Sequence, residues 1–288
     1  MRLQPFSKRD IRHLVSIACG LILLQVSAVS EARELMVTDP QRTIQVEVLG
    51  EGVPVVLIPS LGRGAQDFDD LKERLTDAGY QVILPLPRGI GQSTGSTTGL
   101  TMQDIAADVY AASQAVTDKP VVVVGHAFGN RVARTFASEY PQHTRGVILL
   151  AAGGSTNIPS AIVKALRDSF RKDLPEAEHL AAVQLAFFAE GNDPALWRDG
   201  WYPEVAMYQE AALKATSLES WWAGGVAPML IVQPLEDRVA PPENADQLLK
   251  AFPERVQVQM LANAGHAVLP EQPQQVAEMI INWLNEHL

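Results

Sequence analysis

The chain has 288 residues, 47% of them hydrophobic, and a formal charge of −10. That is enough apolar material for one large α/β domain, or for a core domain with an insertion, and the composition excludes collagen-like, disordered and disulfide-scaffold classes. Without Arg2, Lys8, Arg9, Arg12 and Asp10 of the first 30 residues the charge is about −13, which argues against nucleic acid or an anionic membrane surface as a partner.

Residues 1–30 read as an export signal. A basic stretch ends at Arg12, an apolar run extends from Leu14 to Leu24, and small residues follow at Ala28-Val29-Ser30. Cleavage near Ser30 implies a periplasmic or secreted protein. The alternative is an uncleaved membrane anchor, for which the apolar run is short. Cys19, the only cysteine, lies inside this run without a lipobox. The remaining chain therefore has no disulfide, no cysteine metal ligand and no cysteine nucleophile.

Beyond the signal, Thr43–Val48 alternates apolar and polar residues as a half-buried strand does. Val53–Ile58 is a short apolar run closed by Pro59 and Ser60, the pattern of a strand covered on both faces. Phe68, Leu71, Leu75 and Ala78 recur at helical spacing up to Gly79. A strand at Tyr80–Leu84 leads into the loop Arg88-Gly89-Ile90-Gly91-Gln92-Ser93, and Thr101 can cap a helix with Ile105, Val109, Ala112 and Val116 on one face.

Residues 120–125 form the next strand, which runs into Gly125-His126-Ala127-Phe128-Gly129 and a helix bearing Phe128, Val132 and Phe136. This is the punctuation of a nucleophile elbow, Gly-x-Nuc-x-Gly, whose glycines permit a strained turn that lifts the central side chain above a sheet. The central residue here is Ala127.

After a strand at Gly146–Leu150 the alternation of strand and helix breaks. Residues 155–224 have helical patterns at 162–170, 177–188 and 205–213 and hold Trp197, Trp201, Trp221 and Trp222. A helical insertion rich in aromatics has the character of a lid over a site; the alternative is that the aromatics fill the insertion's own core. Alternation resumes with a strand at 229–232, a helix at about 244–252, a strand at 256–261 and a helix at about 273–287. The whole predicts a mostly parallel, doubly wound sheet. Loops carrying Glu236-Asp237 and Gly265-His266 follow the last two strands, and in such sheets these loops converge.

Over about residues 43–288 the chain resembles the α/β-hydrolase fold family of the AB hydrolase-1 type. Gly125–Gly129 looks like its elbow, Asp237 matches its acid, Gly265-His266 matches its histidine, and Arg88–Ser93 is similar to its Arg-Gly-x-Gly-x-Ser segment. The resemblance implies a core of residues 31–154 and 225–288 with a helical cap at 155–224. It also implies oxyanion donors in the backbone N–H groups of Leu61 and Phe128. Two departures stand out: Pro59-Ser60 replaces the usual His-Gly, and Ala127 replaces the nucleophile.

A methyl group cannot form an acyl-enzyme. The His266–Asp237 dyad survives, with Glu236 the alternative acid, His126 read as structural, and Ser60 either a substitute hydroxyl or a turn residue bonding its own loop. Expected pocket residues are Ser60, Trp197, Trp201, Trp221 and Trp222. His143 and His179 read as surface or cap residues, nothing has metal-ligand spacing, and no cofactor is implied. The expected partner is a small, apolar carbonyl or ester-type molecule, with a membrane involved only through an uncleaved N-terminus. Three readings compete: an enzyme working through the dyad, a silent binding protein, and a conventional serine hydrolase whose nucleophile has been replaced by Ala.

Overall fold

The computed structural model describes residues 32–154 and 156–288, so the export-signal reading lies outside the described residues. The elements in chain order are β1 (Arg33–Asp39), β2 (Arg42–Leu49), β3 (Val53–Ile58), α1 (Asp69–Asp77), β4 (Tyr80–Pro85), β5 (Thr94–Gly95), α2 (Met102–Gln114), β6 (Val121–His126) and α3 (Phe128–Glu139). They continue with β7 (Thr144–Leu150), α4 (Ser160–Asp168), α5 (Glu176–Phe187), α6 (Pro203–Lys214), β8 (Met229–Pro234), α7 (Glu243–Ala251), β9 (Val256–Leu261), α8 (Val268–Glu271) and α9 (Pro273–His287).

The strands form one sheet in the order β1-β2-β4-β3-β6-β7-β8-β9, with β5 paired to β2. From β4 to β9 every pairing is parallel, whereas β2 runs antiparallel to its neighbours. Val121–Val124 lie at the centre, none more than 1% exposed. Branching at Cβ stiffens these side chains and suits them to a strand packed on both faces. The register sets Ile58 beside Gly125 and His126 beside Leu150, so the loops leaving β3, β6 and β7 emerge side by side.

Two strands depart from the expected elements. β1 alternates exposed and half-buried residues at the sheet's edge, and β5 is only two residues long, so neither carries an apolar run that marks it. Thr101 caps α2 as expected: its hydroxyl accepts from the Asp104 N–H while the Asp104 carboxylate takes the Thr101 N–H, an arrangement worth about 1 kcal/mol. The Arg88–Ser93 loop is pinned by Arg88, which makes two hydrogen bonds to Asp108 at 2.7 and 2.8 Å.

The helical segment after β7 divides in two. Helices α4 and α5 pack on each other around a small separate core that includes Ala165, Val183, Phe187 and Trp197 and also Ala267 from the body. Helix α6 belongs instead to the main core, through Val205, Tyr208 and Ala212.

Candidate active site

At the turn from β6 into α3 the Ala127 backbone has φ 52° and ψ −109°. A residue with a Cβ held there stores about 1–3 kcal/mol of strain. Close packing imposes the turn. A Cβ on Gly125 would lie 2.2 Å from the Gly129 carbonyl oxygen, and one on Gly129 would lie 2.2 Å from that of Ile58. The Ala127 N–H donates to the Leu150 carbonyl at 2.9 Å, and its carbonyl accepts from the Asn130 N–H at 3.1 Å. The elbow geometry is thus built in full around a methyl group.

Asp237 stands on the loop after β8 with its side chain fully buried. One carboxylate oxygen accepts the N–H groups of Val239 and Ala240 at 2.9 and 2.6 Å, and the other meets His266 Nδ1 at 2.8 Å. A carboxylate held by two backbone donors is fixed in direction. It assigns the Nδ1–H tautomer to His266 and leaves Nε2 as an acceptor. Glu236, the alternative acid, is exposed.

The His266 loop is fastened from two sides. Glu271 on α8 accepts the Gly265 N–H at 2.8 Å and, with its other oxygen, the Ala189 N–H at 2.7 Å. Burial pushes the Glu271 carboxyl above its ordinary range. From beneath, His126 Nε2 donates to the His266 carbonyl at 2.8 Å. His126 is completely buried, and that desolvation pushes its pKa down to about 3. It is a neutral prop, consistent with the structural reading.

Leu61 and Phe128, the expected oxyanion donors, line the same cavity. Phe128 opens α3, where first-turn N–H groups have no partner inside the helix, and the Leu61 N–H makes no hydrogen bond among the described residues. The Leu61 loop is set by Gly62, whose φ is 54° and whose N–H donates to Gln209 Oε1 on α6 at 2.8 Å. The Gly62 carbonyl in turn accepts the Tyr202 N–H at 2.9 Å. Pro59-Ser60 therefore delivers a defined loop, tied to the cap segment. Among the described residues the Ser60 side chain makes no hydrogen bond to its own loop, while its carbonyl accepts from the Arg63 N–H at 3.2 Å.

These groups converge on a cavity of about 270 Å³ whose lining includes Ser60, Leu61, Ala127, Phe128 and His266 below, with Phe187, Trp197 and Trp201 above. Trp221 and Trp222, expected in the pocket, are not on this lining. They lie against the Arg134 guanidinium, 4.6 and 5.1 Å from it. The physical reason is that α6 turns back into the main core, so the chain beyond it leaves the cavity. His143 bonds Tyr110 on α2, and His179 bonds the Arg198 carbonyl within the cap segment; neither lines the cavity.

Several site residues escaped sequence reasoning. Arg63 and Arg131 line the cavity, and Gln209 and Glu271 hold its loops. Only Arg131 had a signal to offer, since a residue four positions after the elbow shares its helix face.

A family model described as alpha/beta hydrolase fold matches residues 53–273. Among curated proteins, the AB hydrolase superfamily protein YisY of Bacillus subtilis is 24% identical over 86% of this chain and 97% of its own length. Among solved structures, a thermophilic esterase from Thermogutta terrifontis superposes with a TM-score of 0.72 at 22% identity, covering 90% of this chain and 100% of that one. A putative non-heme bromoperoxidase, BpoC, from Mycobacterium tuberculosis gives 0.70 at 23% identity, over 85% and 96%.

Proposed function

The chain belongs to the α/β-hydrolase fold family, and from that premise we propose that it converts a small, apolar carbonyl or ester-type substrate with His266 as base and no covalent intermediate on the elbow. The observation that carries this reading is the 2.8 Å contact between His266 and a doubly anchored Asp237, beside a cavity also lined by Ala127, Leu61 and Phe128. His266 Nε2 takes a proton from a water molecule as the water oxygen bonds to the substrate carbonyl carbon. The developing oxyanion is received by the N–H groups of Leu61 and Phe128. When the tetrahedral adduct collapses, the bond to the leaving oxygen breaks and the proton on His266 passes to that oxygen. The methyl of Ala127 leaves space where a serine hydroxyl would stand, and the water occupies it.

That same methyl favours a second reading, a protein that binds its ligand and leaves it unchanged. Turnover of a panel of small aryl and alkyl esters separates the two. The enzyme reading expects slow hydrolysis that falls by about 100-fold or more in His266→Ala. Hydrolysis unaffected by that change would sink it, and a bound ligand recovered intact would favour the binder. Ala127→Ser checks the frame itself. Labelling of that variant by a fluorophosphonate, with none of the parent chain, is the expected result.

A further inference from the structure

Arg131 lies on α3 one turn beyond Ala127, on the same helix face and about 6 Å along the axis, and it lines the cavity. Its guanidinium forms no hydrogen bond or ion pair among the described residues. Burial alone acts on it, pulling its pKa down to about 10, so it remains charged at neutral pH. Two other buried arginines have carboxylate partners, Arg63 in Asp67 and Arg88 in Asp108, whereas Arg134, off the cavity lining, has only Asn130 Oδ1 and the Gly153 carbonyl as acceptors. The one carboxylate on the cavity lining, Glu210, lies 3.6 Å from Lys214, and both of these side chains are exposed.

The position of the guanidinium is built, not incidental. A Cβ at Gly153 would fall 2.7 Å from Arg131 Nη2, so the side chain rests on bare backbone of the loop after β7. Arg134, one turn further on, is buried too, and that burial together with the Arg131 charge pulls its own pKa well down. A partly buried cation without a counter-ion is unfavourable in the empty protein, and a ligand anion removes that penalty.

We infer that the cavity takes a small apolar molecule bearing a carboxylate, which Arg131 binds while the rest of the molecule extends toward Ala127 and His266. The guanidinium fork matches a planar carboxylate with two parallel hydrogen bonds. Of the cations on the lining, Arg63 is paired with Asp67 and Lys214 with Glu210, which leaves Arg131 alone without a carboxylate among the described residues and suits a monoanion. A phosphate dianion calls for a second free cation, whereas Arg63 is held by Asp67 and Lys214 faces Glu210. Arg131 and Ala127 lie about 6 Å apart along the α3 axis, and both line this cavity. The substrate class, deepening the reading above and resting on it, is therefore an apolar acid with a separate reactive carbonyl a few bonds from its carboxylate.

Binding, not turnover, tests this. Calorimetric titration with ω-phenylalkanoates from phenylacetate to 5-phenylvalerate, each beside its primary amide, is expected to show at least one acid bound about 10-fold or more tighter than its amide. Arg131→Met abolishes that preference, while its urea midpoint equals or exceeds that of the parent because an unpaired charge has gone. His266→Ala keeps the preference, so the inference stands even if the proposed reaction fails. Equal affinity of acid and amide, no binding by any acid, a preference that survives Arg131→Met, or tighter binding of the matching phosphonates overturns it.

Discussion

Arg63 and Arg134 are both buried and both lie against a pair of tryptophans, yet their charges are treated differently. The Arg63 guanidinium sits 4.4 and 4.5 Å from the rings of Trp197 and Trp201 and makes a two-pronged ion pair with Asp67. The Arg134 guanidinium has Trp221 and Trp222 at its face, but only an amide oxygen and a carbonyl as acceptors. Its Nε and Nη1 have no partner among the described residues. The first cluster is a neutral, rigid wall of the cavity. The second is an uncompensated charge within α3, the helix that carries Ala127 and Arg131, and burial together with Arg131 pushes its pKa well down. Similar residue sets thus serve as a wall in one place and as a source of positive potential in the other.

Removing the counter-ion of the first cluster would make it resemble the second, with the largest effect. Asp67→Ala strands Arg63, whose side chain is 2% exposed, and a buried ion left alone costs about 4 kcal/mol. Urea unfolding should register the full loss. The double variant Arg63→Met with Asp67→Leu should recover most of it, since the charge departs with its partner. A single variant within about 1 kcal/mol of the parent would mean that the indole faces alone suffice for Arg63, erasing the distinction.

Truncating one tryptophan from each cluster should separate wall from scaffold. Trp197 and Trp221 are 2% and 3% exposed, and both have an indole N–H without a partner among the described residues. Truncation to Ala removes that unsatisfied donor along with the ring, placing the expected cost near the low end of the range, about 3 kcal/mol each. Ligand binding should divide them. Trp197→Ala opens the cavity and weakens the phenylalkanoate that binds best, whereas Trp221→Ala leaves its affinity unchanged. Equal losses of affinity would place Trp221 within reach of the ligand after all.

What the sequence disclosed depended on whether the signal was local. The central strands, the elbow and the Thr101 cap are written in runs of valine, paired glycines and a three-residue spacing, and their boundaries fall within a few residues of expectation. Edge strand β1 has no such signature because one side of it faces solvent. Choosing Asp237 over Glu236 needed the direction of one turn, in which Asp237 points to His266 and Glu236 to solvent. The four cap tryptophans look alike in sequence. Which pair reaches the cavity follows from the return of α6 to the main core, a long-range fact with no local trace. Arg131, which the sequence reading did not single out, carried a spacing signal, but its lack of a counter-ion emerges only once every neighbouring carboxylate has been placed.

The smallest expected effect is one of pH, and it too divides the clusters. His126 lies with its ring centre 5.9 Å from that of Trp197, on the Arg63 side, and its pKa falls from 6.5 to about 3 through burial. A histidine whose folded pKa is depressed stays neutral in the native state while the unfolded chain takes up a proton below pH 6.5. Its contribution to stability is therefore complete above that value and declines as pH falls, by up to about 1.4 kcal/mol per unit, until about pH 3. The groups against Arg134, two indoles, an amide and a carbonyl, do not titrate in this window. Urea midpoints measured from pH 7.5 down to pH 5 should fall in the parent and fall less steeply in His126→Gln, which cannot take up a proton yet keeps an N–H for the His266 carbonyl. Hydrogen exchange at pH 5 should show α5, packed over Trp197, opening before the stretch around Trp221. If the slope is the same in His126→Gln, the acid sensitivity comes from carboxylates elsewhere, and His126 is not what sets the two clusters apart.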